Sequence, residues 1–361
     1  MRKEISYIVP AGVSMTLQQT LRGPMSLTCR QVRSAKFREN GILVNGERSR
    51  VSRMLFEGDE VRVLLEDVHD PSQVHGIRFA GGFGAPGSGS SGRPCLPPLP
   101  AEQILFEDED LLVVNKPAGI CVHPSHGHYG DTLADQVYYR YALMGITEIP
   151  RVVGRLDKDT SGAVLFARNK VAAQRLTDKK AVRKEYLALA QGNINMTTLM
   201  ENPALALGNQ APALGNPAPV MENSSSTNPM SPKPNSVWLT ISCPIAKDPS
   251  SLSRMLPDPD GRYAGKTAVT HLQVVASVPE IEATLLRLRL DTGRTHQIRV
   301  HMAYIGHPLL GDPLYGTGPS GGFTRAALHC SRMEILHPFT REKISICAPL
   351  PEDFPAHVEA R

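Results

Sequence analysis

The sequence predicts an α+β protein whose main sheet is mixed and mainly antiparallel. Strand-like segments outnumber helix-like segments, and the two kinds do not alternate as they would in a doubly wound parallel sheet. The chain of 361 residues is 41% hydrophobic and 20% charged, which is the composition of a folding protein. Its longest apolar runs are far shorter than the roughly 18 residues of a membrane-spanning helix. The first ten residues also lack the apolar core of a secretory signal.

Positive charge is concentrated near the N-terminus. Residues 1–66 contain eleven Lys and Arg against seven Asp and Glu, whereas the remaining 295 residues contain 28 of each. A small basic unit beside a larger neutral one is compatible with an RNA- or DNA-binding appendage, and equally with an ordinary solvated surface.

Two stretches of biased composition predict how the chain is divided. Residues 69–101 are dense in Gly, Ser and Pro, and they predict a flexible linker between a unit over residues 1–68 and a larger unit over residues 102–356. Residues 193–235 contain only three charged side chains. They predict a disordered insertion inside the larger unit, because strand-like sequence resumes on both sides.

In the first unit, residues 28–40 predict a helix that Thr28 can cap. Asn45-Gly46 predicts a tight turn after a short strand, and residues 60–66 alternate as a strand does. The basic residues of the predicted helix are Arg30, Arg33, Lys36 and Arg38. They indicate either a face turned to phosphates or an ordinary solvated face.

In the larger unit, strands are predicted from alternating or continuous apolar runs. Two short strands are predicted within residues 104–117, around an acidic turn, and further strands at 152–155, 163–167, 184–190, 237–242, 268–276 and 281–290. Helices are predicted over residues 131–141, 169–180 and 295–304, and Thr295 can cap the last of them.

Two polar stretches are the candidates for chemistry. Residues 154–162, with the sequence GRLDKDTSG, lie between two apolar strands. Taken alone, this stretch is most simply interpreted as a turn, because Asp, Ser, Thr and Gly favour turns. Residues 291–301 place two Arg and two His on a turn and the start of a helix. That location is compatible with a phosphate site and equally with a solvated helix start.

Four motifs occur in one order: VNKPAGICVHPSHGH, RLDKDTSG followed by KEYLAL, GRTHQIRVHMAYIGHPLLGDPLYG, and LHCSRMEILHPFTREKISICAPLPEDF. Over residues 104–192 and 236–354 they resemble the RluA family of RNA pseudouridine synthases, in particular its RluD-like members. The first unit resembles the alpha-L RNA-binding domain that was first described in a small-subunit ribosomal protein. The resemblance therefore implies a pseudouridine synthase fold with a small N-terminal RNA-binding domain.

The resemblance implies an isomerase that breaks the N-glycosidic bond of a uridine in RNA, rotates the uracil and rejoins it through carbon 5, with no cofactor and no metal. It implies that Asp157 is the essential carboxylate, that Arg294 pairs with it, and that Tyr186 stacks on the target uracil. Arg155 would contact the RNA around a flipped-out base.

The resemblance also implies a substrate and a setting. Ribosomal RNA is the first expectation and transfer RNA the second, with no DNA or membrane partner. A monomer is expected, because no heptad pattern is present. Six cysteines without Cys-x-x-Cys spacing are simplest as free thiols in a reducing cytoplasm.

Some alternatives stay open. Gly154 occupies a position where the family usually has His, which puts one RNA contact in question. His123, His126 and His128 suggest a metal, but their stretch matches a metal-free loop of the family. Two competing functions are a non-catalytic RNA-binding protein on the same fold and a glycosidase, which would need Asp159 as a second carboxylate.

Overall fold

The computed structural model describes residues 2–66, 96–124, 130–146, 149–178, 180–194, 205–208 and 237–355. Most of the predicted linker and insertion lie outside these residues, as do His126 and His128. Within the described ranges, no helix is long and apolar enough to cross a membrane.

The N-terminal unit contains a four-stranded antiparallel sheet and two short helices. Its elements are β1 Arg2–Ile8, β2 Met15–Thr16, α1 Leu17–Arg22, α2 Cys29–Lys36, β3 Ile42–Val44, β4 Glu47–Arg48, β5 Met54–Leu55 and β6 Glu60–Glu66. The sheet order is β1-β6-β3-β4, and β2 pairs with β5. The structure thus forms the predicted Asn45-Gly46 turn between β3 and β4 and the predicted strand β6.

Helix α2 begins where the sequence predicts. The Thr28 hydroxyl accepts the backbone N–H of Gln31, and the Gln31 side chain accepts the Thr28 N–H, so that a capping box satisfies two free donors. The helix ends at Lys36, four residues before the predicted end. At that end Gly41 packs directly against the Ala35 carbonyl, where a side chain would not fit.

The larger unit is built on an eleven-stranded sheet. Its strands are β7 Ile104–Glu107, β8 Leu111–Lys116, β9 Arg151–Val153, β10 Ser161–Ala167, β11 Val182–Gln191, β12 Leu205–Gly208, β13 Trp238–Ser242, β16 Val269–Val278, β17 Ala283–Leu290, β18 Leu328–Leu336 and β19 Lys343–Cys347, with a separate hairpin of β14 Ile245–Lys247 and β15 Met255–Pro257. The helices are α3 Leu133–Leu143, α4 Lys170–Arg175 and α5 Gln297–Tyr304.

The strand order of this sheet is β12-β13-β16-β17-β11-β18-β10-β8-β7, with β9 beside β10 and β19 beside β18. Among the pairs that the structure describes, β10 with β18 is parallel and the others are antiparallel. The predicted α+β class with a mainly antiparallel sheet is therefore confirmed.

The parallel pair requires a glycine at its crossing. Gly162 lies opposite Cys330 with φ +109°, and a Cβ there would collide with the Cys330 backbone. This contact brings the end of the 154–162 loop beside β18. Strand β11 flanks β18 on the other side, so Tyr186 lies in the middle of the sheet.

Other predicted details also differ from the structure. Helix α4 ends at Arg175, five residues before its predicted end. Two further differences concern helix α5 and strand β12. Helix α5 begins at Gln297 after His296, which has the left-handed φ of +56°, and not after Thr295. Residues 205–208 of the predicted disordered insertion form strand β12, which pairs with β13. The differences at α5 and β12 come from tertiary contacts, because β12 extends a sheet edge and His296 bonds to the distant Tyr315.

Candidate functional site

A cleft of about 930 Å³ brings together the two polar stretches that the sequence singles out. Residues 152–157 form one wall and residues 289–294 with 297–299 another, and β11 contributes Lys184 and Tyr186 to the lining. Residues 176–178, which follow helix α4, also line the cleft. The predicted residues Arg155, Asp157, Tyr186 and Arg294 therefore share one cavity.

The loop that carries Asp157 is fixed through its backbone. The buried Nζ of Lys116 donates to the carbonyls of Pro117, Ile120 and Lys158 at 2.8–2.9 Å. Arg325 donates to the Asp159 carbonyl at 3.0 Å, and the Thr160 N–H closes a turn on the Asp157 carbonyl. These bonds pre-organise the position of the Asp157 side chain.

Lys116 is a structural cation of this loop, in agreement with its place at the end of a strand. Burial lowers its pKa to about 7, while the Asp159 and Asp157 carboxylates oppose that shift. The three carbonyl acceptors require three N–H donors, so the geometry favours the ammonium form, which alone supplies them.

Tyr186 is only 6% exposed, and it lies on β11 opposite Leu288 of β17. Burial, with contributions from Cys330 and Asp157, raises its pKa well above the ordinary value. The hydroxyl therefore stays protonated at neutral pH, and it can donate a hydrogen bond toward the cleft.

Arg294 lies at the exposed rim of the cleft, where its Nε donates to the Thr267 carbonyl at 3.0 Å. Among the residues that the structure describes, no ion pair joins Arg294 to Asp157. The expected pairing is thus not formed in this structure, although both side chains line the cleft.

A second arginine of the same motif, Arg299, lies under the cleft and is only 3% exposed. It forms a bidentate ion pair with the fully buried Asp312, with Nε–Oδ2 and Nη2–Oδ1 both 2.7 Å. Burial would lower the pKa of Arg299, but Asp312 and, to a smaller extent, Asp157 raise it. The sequence did not predict Arg299 as a site residue, because Arg294 and Arg299 both belong to the same motif.

His296 and Tyr315 form a neighbouring half-buried pair. The His296 Nδ1 and the Tyr315 hydroxyl are 2.9 Å apart, and that hydroxyl accepts the Met255 N–H at 2.8 Å. Burial lowers the pKa of His296, and the Asp157 carboxylate opposes that shift. The left-handed backbone of His296 is held by this bond.

The glycine that replaces the expected His adjoins another cation. Gly154 has φ +74°, and a Cβ there would lie 3.3 Å from the Nζ of Lys184. Lys184 lines the cleft two residues before Tyr186, and burial lowers its pKa. The space next to Gly154 is therefore occupied by an amine.

The remaining predicted RNA contacts lie on the surface. Arg155 is exposed at the cleft, and Arg30, Arg33 and Lys36 are exposed on α2, whereas Arg38 is half-buried and donates to Ser34. Within the described ranges, no group of three or more His, Cys, Asp or Glu is placed to hold a metal. The five cysteines in those ranges are free thiols.

Comparison with known sequences adds to this geometry. The sequence model of a family described as RNA pseudouridylate synthase matches residues 110–304. That range contains the Asp157 loop, β11 and the 291–301 stretch, so the match covers three walls of the cleft.

Individual relatives extend the similarity to most of the chain. The uncharacterized RNA pseudouridine synthase YhcT of Bacillus subtilis is 38% identical over 253 residues, which are 69% of each chain. The ribosomal large subunit pseudouridine synthase D of Haemophilus ducreyi is 32% identical over 339 residues, which cover 89% of this chain and 81% of the relative. Among solved structures, human RNA pseudouridylate synthase domain containing 1 is 26% identical, with a TM-score of 0.49 over 72% of this chain and 86% of that chain.

Proposed function

Because the chain belongs to the RNA pseudouridylate synthase family and is an isomerase that converts uridine to pseudouridine, we propose that it modifies ribosomal RNA by aspartate-dependent chemistry in the cleft. The observation that carries the proposal is the meeting of Asp157, Tyr186 and Arg299 in one cavity. A carboxylate, a protonated phenol and a buried guanidinium are the groups that this isomerisation needs around a nucleoside.

Each group has a separate role. The ionised Asp157 carboxylate acts at the ribose of the target uridine, while the C–N bond breaks and the C–C bond forms. Tyr186 stacks on the uracil, and its hydroxyl is available to move a proton. Arg299, which is paired with Asp312, places a buried guanidinium in the lining of the same cleft. Arg294 and Arg155, at the exposed rim, contact the RNA around the flipped-out nucleotide.

The choice of RNA rests on two supports. Relatives that span most of the chain are named for the large ribosomal subunit. The N-terminal unit is basic and carries exposed cations on α2, and it would act as an alpha-L RNA-binding domain over residues 1–68. Transfer RNA is the second candidate substrate. The enzyme would act as a monomer in the cytoplasm, where ribosomal RNA is assembled.

The test is release of tritium from uracil carbon 5, measured on unmodified large-subunit ribosomal RNA and on transfer RNA. Wild type should release tritium from ribosomal RNA, and Asp157→Asn should release none while its unfolding transition is unchanged. Asp159→Asn is the matched control, because it removes a carboxylate from the same loop, and it should keep activity. Activity in Asp157→Asn would refute the aspartate mechanism, and a free uracil product would identify a hydrolase.

A further inference from the structure

The N-terminal unit contacts the larger unit at the end of helix α4. Arg175 Nη2 donates to the Met25 carbonyl at 2.7 Å, and Nη1 donates to the Pro338 carbonyl at 2.9 Å. The Gln174 amide nitrogen lies 3.5 Å from the Ser26 carbonyl. One guanidinium therefore joins a loop of the N-terminal unit to a turn of the larger unit.

An apolar contact supports the same junction. Phe339 lies in that turn, and its partly buried ring packs against the hydrophobic cores of both units. The Arg175 guanidinium lies over this ring, 4.8 Å from its centre. Lysine cannot replace this arginine, because only a planar guanidinium donates to two carbonyls and stacks on an aromatic ring at the same time.

The junction places basic residues next to the cleft. Met25 and Ser26 come a few residues before Cys29, the first residue of α2, which is at most about 14 Å of chain. On the other side, residues 176–178 follow Arg175 directly and line the cleft. The first turn of α2 is therefore on the order of 20 Å from the cleft wall, a distance that a single RNA strand of several nucleotides can span.

The charge of α2 fits an RNA backbone at that distance. Arg30, Arg33 and Lys36 are exposed on a helix without an acidic residue. Residues 1–66 carry a net charge of +4, whereas the rest of the chain is neutral.

We propose that Arg175 is a positioning residue that latches the N-terminal unit onto α4, so that α2 and the cleft bind one continuous RNA. The proposal rests on the proposed function, because the RNA on α2 is the strand that flanks the target uridine. Arg175 itself does not touch the RNA; it acts by fixing where the cations of α2 lie.

The experiment is a mutant cycle read by RNA affinity, with the full chain and unmodified large-subunit ribosomal RNA. Arg30→Gln with Arg33→Gln should lower affinity about tenfold and reduce the salt dependence by about two phosphate contacts. Arg175→Lys keeps the charge but loses the paired bonds, and it should cause a similar loss. In the Arg175→Lys background, the α2 substitutions should add less than about twofold.

Three results would overturn the latch: additive losses in the cycle, wild-type affinity in Arg175→Lys, or an equal loss from Arg62→Gln. Arg62→Gln is the matched control, because it removes a positive charge from the same unit. In the wild-type protein, Arg62 pairs with Glu4 and Glu60. Thermal melting shows whether each variant is folded. If Arg175→Lys is unfolded, Arg175→Gln repeats the test. Affinity is measured without turnover, so a wild type that binds RNA but makes no pseudouridine counts against the proposed function alone.

Discussion

Asp312→Ala is expected to destabilise the protein strongly, because it leaves Arg299 buried without its partner. The carboxylate has no exposed surface, and it accepts two guanidinium bonds of 2.7 Å. The same carboxylate also accepts the N–H groups of Leu314 and Tyr315 at 2.9 and 3.1 Å. Truncation therefore removes every one of these acceptors at once.

The expected loss in the free energy of unfolding is about 3–5 kcal/mol, which is the usual cost of breaking a buried ion pair from one side. Arg299→Met with Asp312→Leu should cost less, about 1–3 kcal/mol, because no charge is left unpaired and only the two backbone donors lose their acceptor. The control is Glu334→Ala, whose partly exposed ion pair with Arg332 should contribute less than about 1 kcal/mol.

Urea unfolding followed by circular dichroism measures these values. Burial alone would raise the pKa of Asp312, but the Arg299 bonds lower it overall. A carboxyl whose pKa is lower in the folded state adds stability above its unfolded pKa of about 3.9. The difference between wild type and Asp312→Ala should thus be constant above about pH 5 and shrink in more acid solution. A loss below about 1 kcal/mol at pH 7 would refute the reasoning.

Substitutions at three further positions test the rest of the site. Tyr186→Phe should keep RNA affinity but lower kcat, whereas Tyr186→Leu should lower both, since it also removes the ring; tritium release under saturating and limiting RNA separates the two effects. Lys116→Met should leave three carbonyls without a donor, costing about 3 kcal/mol or more by urea unfolding, and lower kcat through the Asp157 loop. Unchanged kcat in a folded Lys116→Met protein would contradict that support. Gly162→Ala should be destabilised by about 2–4 kcal/mol, because its Cβ meets the Cys330 backbone, and a wild-type melting temperature would disprove the close crossing.

Local patterns in the sequence predicted most of the elements, because helix caps and periodicity are local. Thr28 caps α2, and the spacing of Leu133, Val137 and Tyr141 gives the buried side of α3. The charged start of β1 hides its alternation, so this strand was not predicted. Helix α1 was not predicted either.

The choice between Arg294 and Arg299 depends on tertiary structure. If a helix is assumed to begin after Thr295, both arginines are plausible partners for a carboxylate. The observed start after His296 turns Arg299 inward with Gln297 and leaves Arg294 at the rim. That start is stabilised by a bond from His296 to a tyrosine 19 residues away, which no local pattern reveals.

The residues that support the cleft are held by hydrogen bonds, whereas its reactive groups are left available to the substrate. The Asp157 loop is held by bonds from Lys116 and Arg325 to backbone carbonyls, and Arg299 is held by Asp312. Among the described residues, neither the Asp157 carboxylate nor the Tyr186 hydroxyl forms a hydrogen bond. A group already paired with the protein would have to break that bond before it could act on the substrate. Binding of the nucleoside therefore costs little reorganisation, as electrostatic pre-organisation requires.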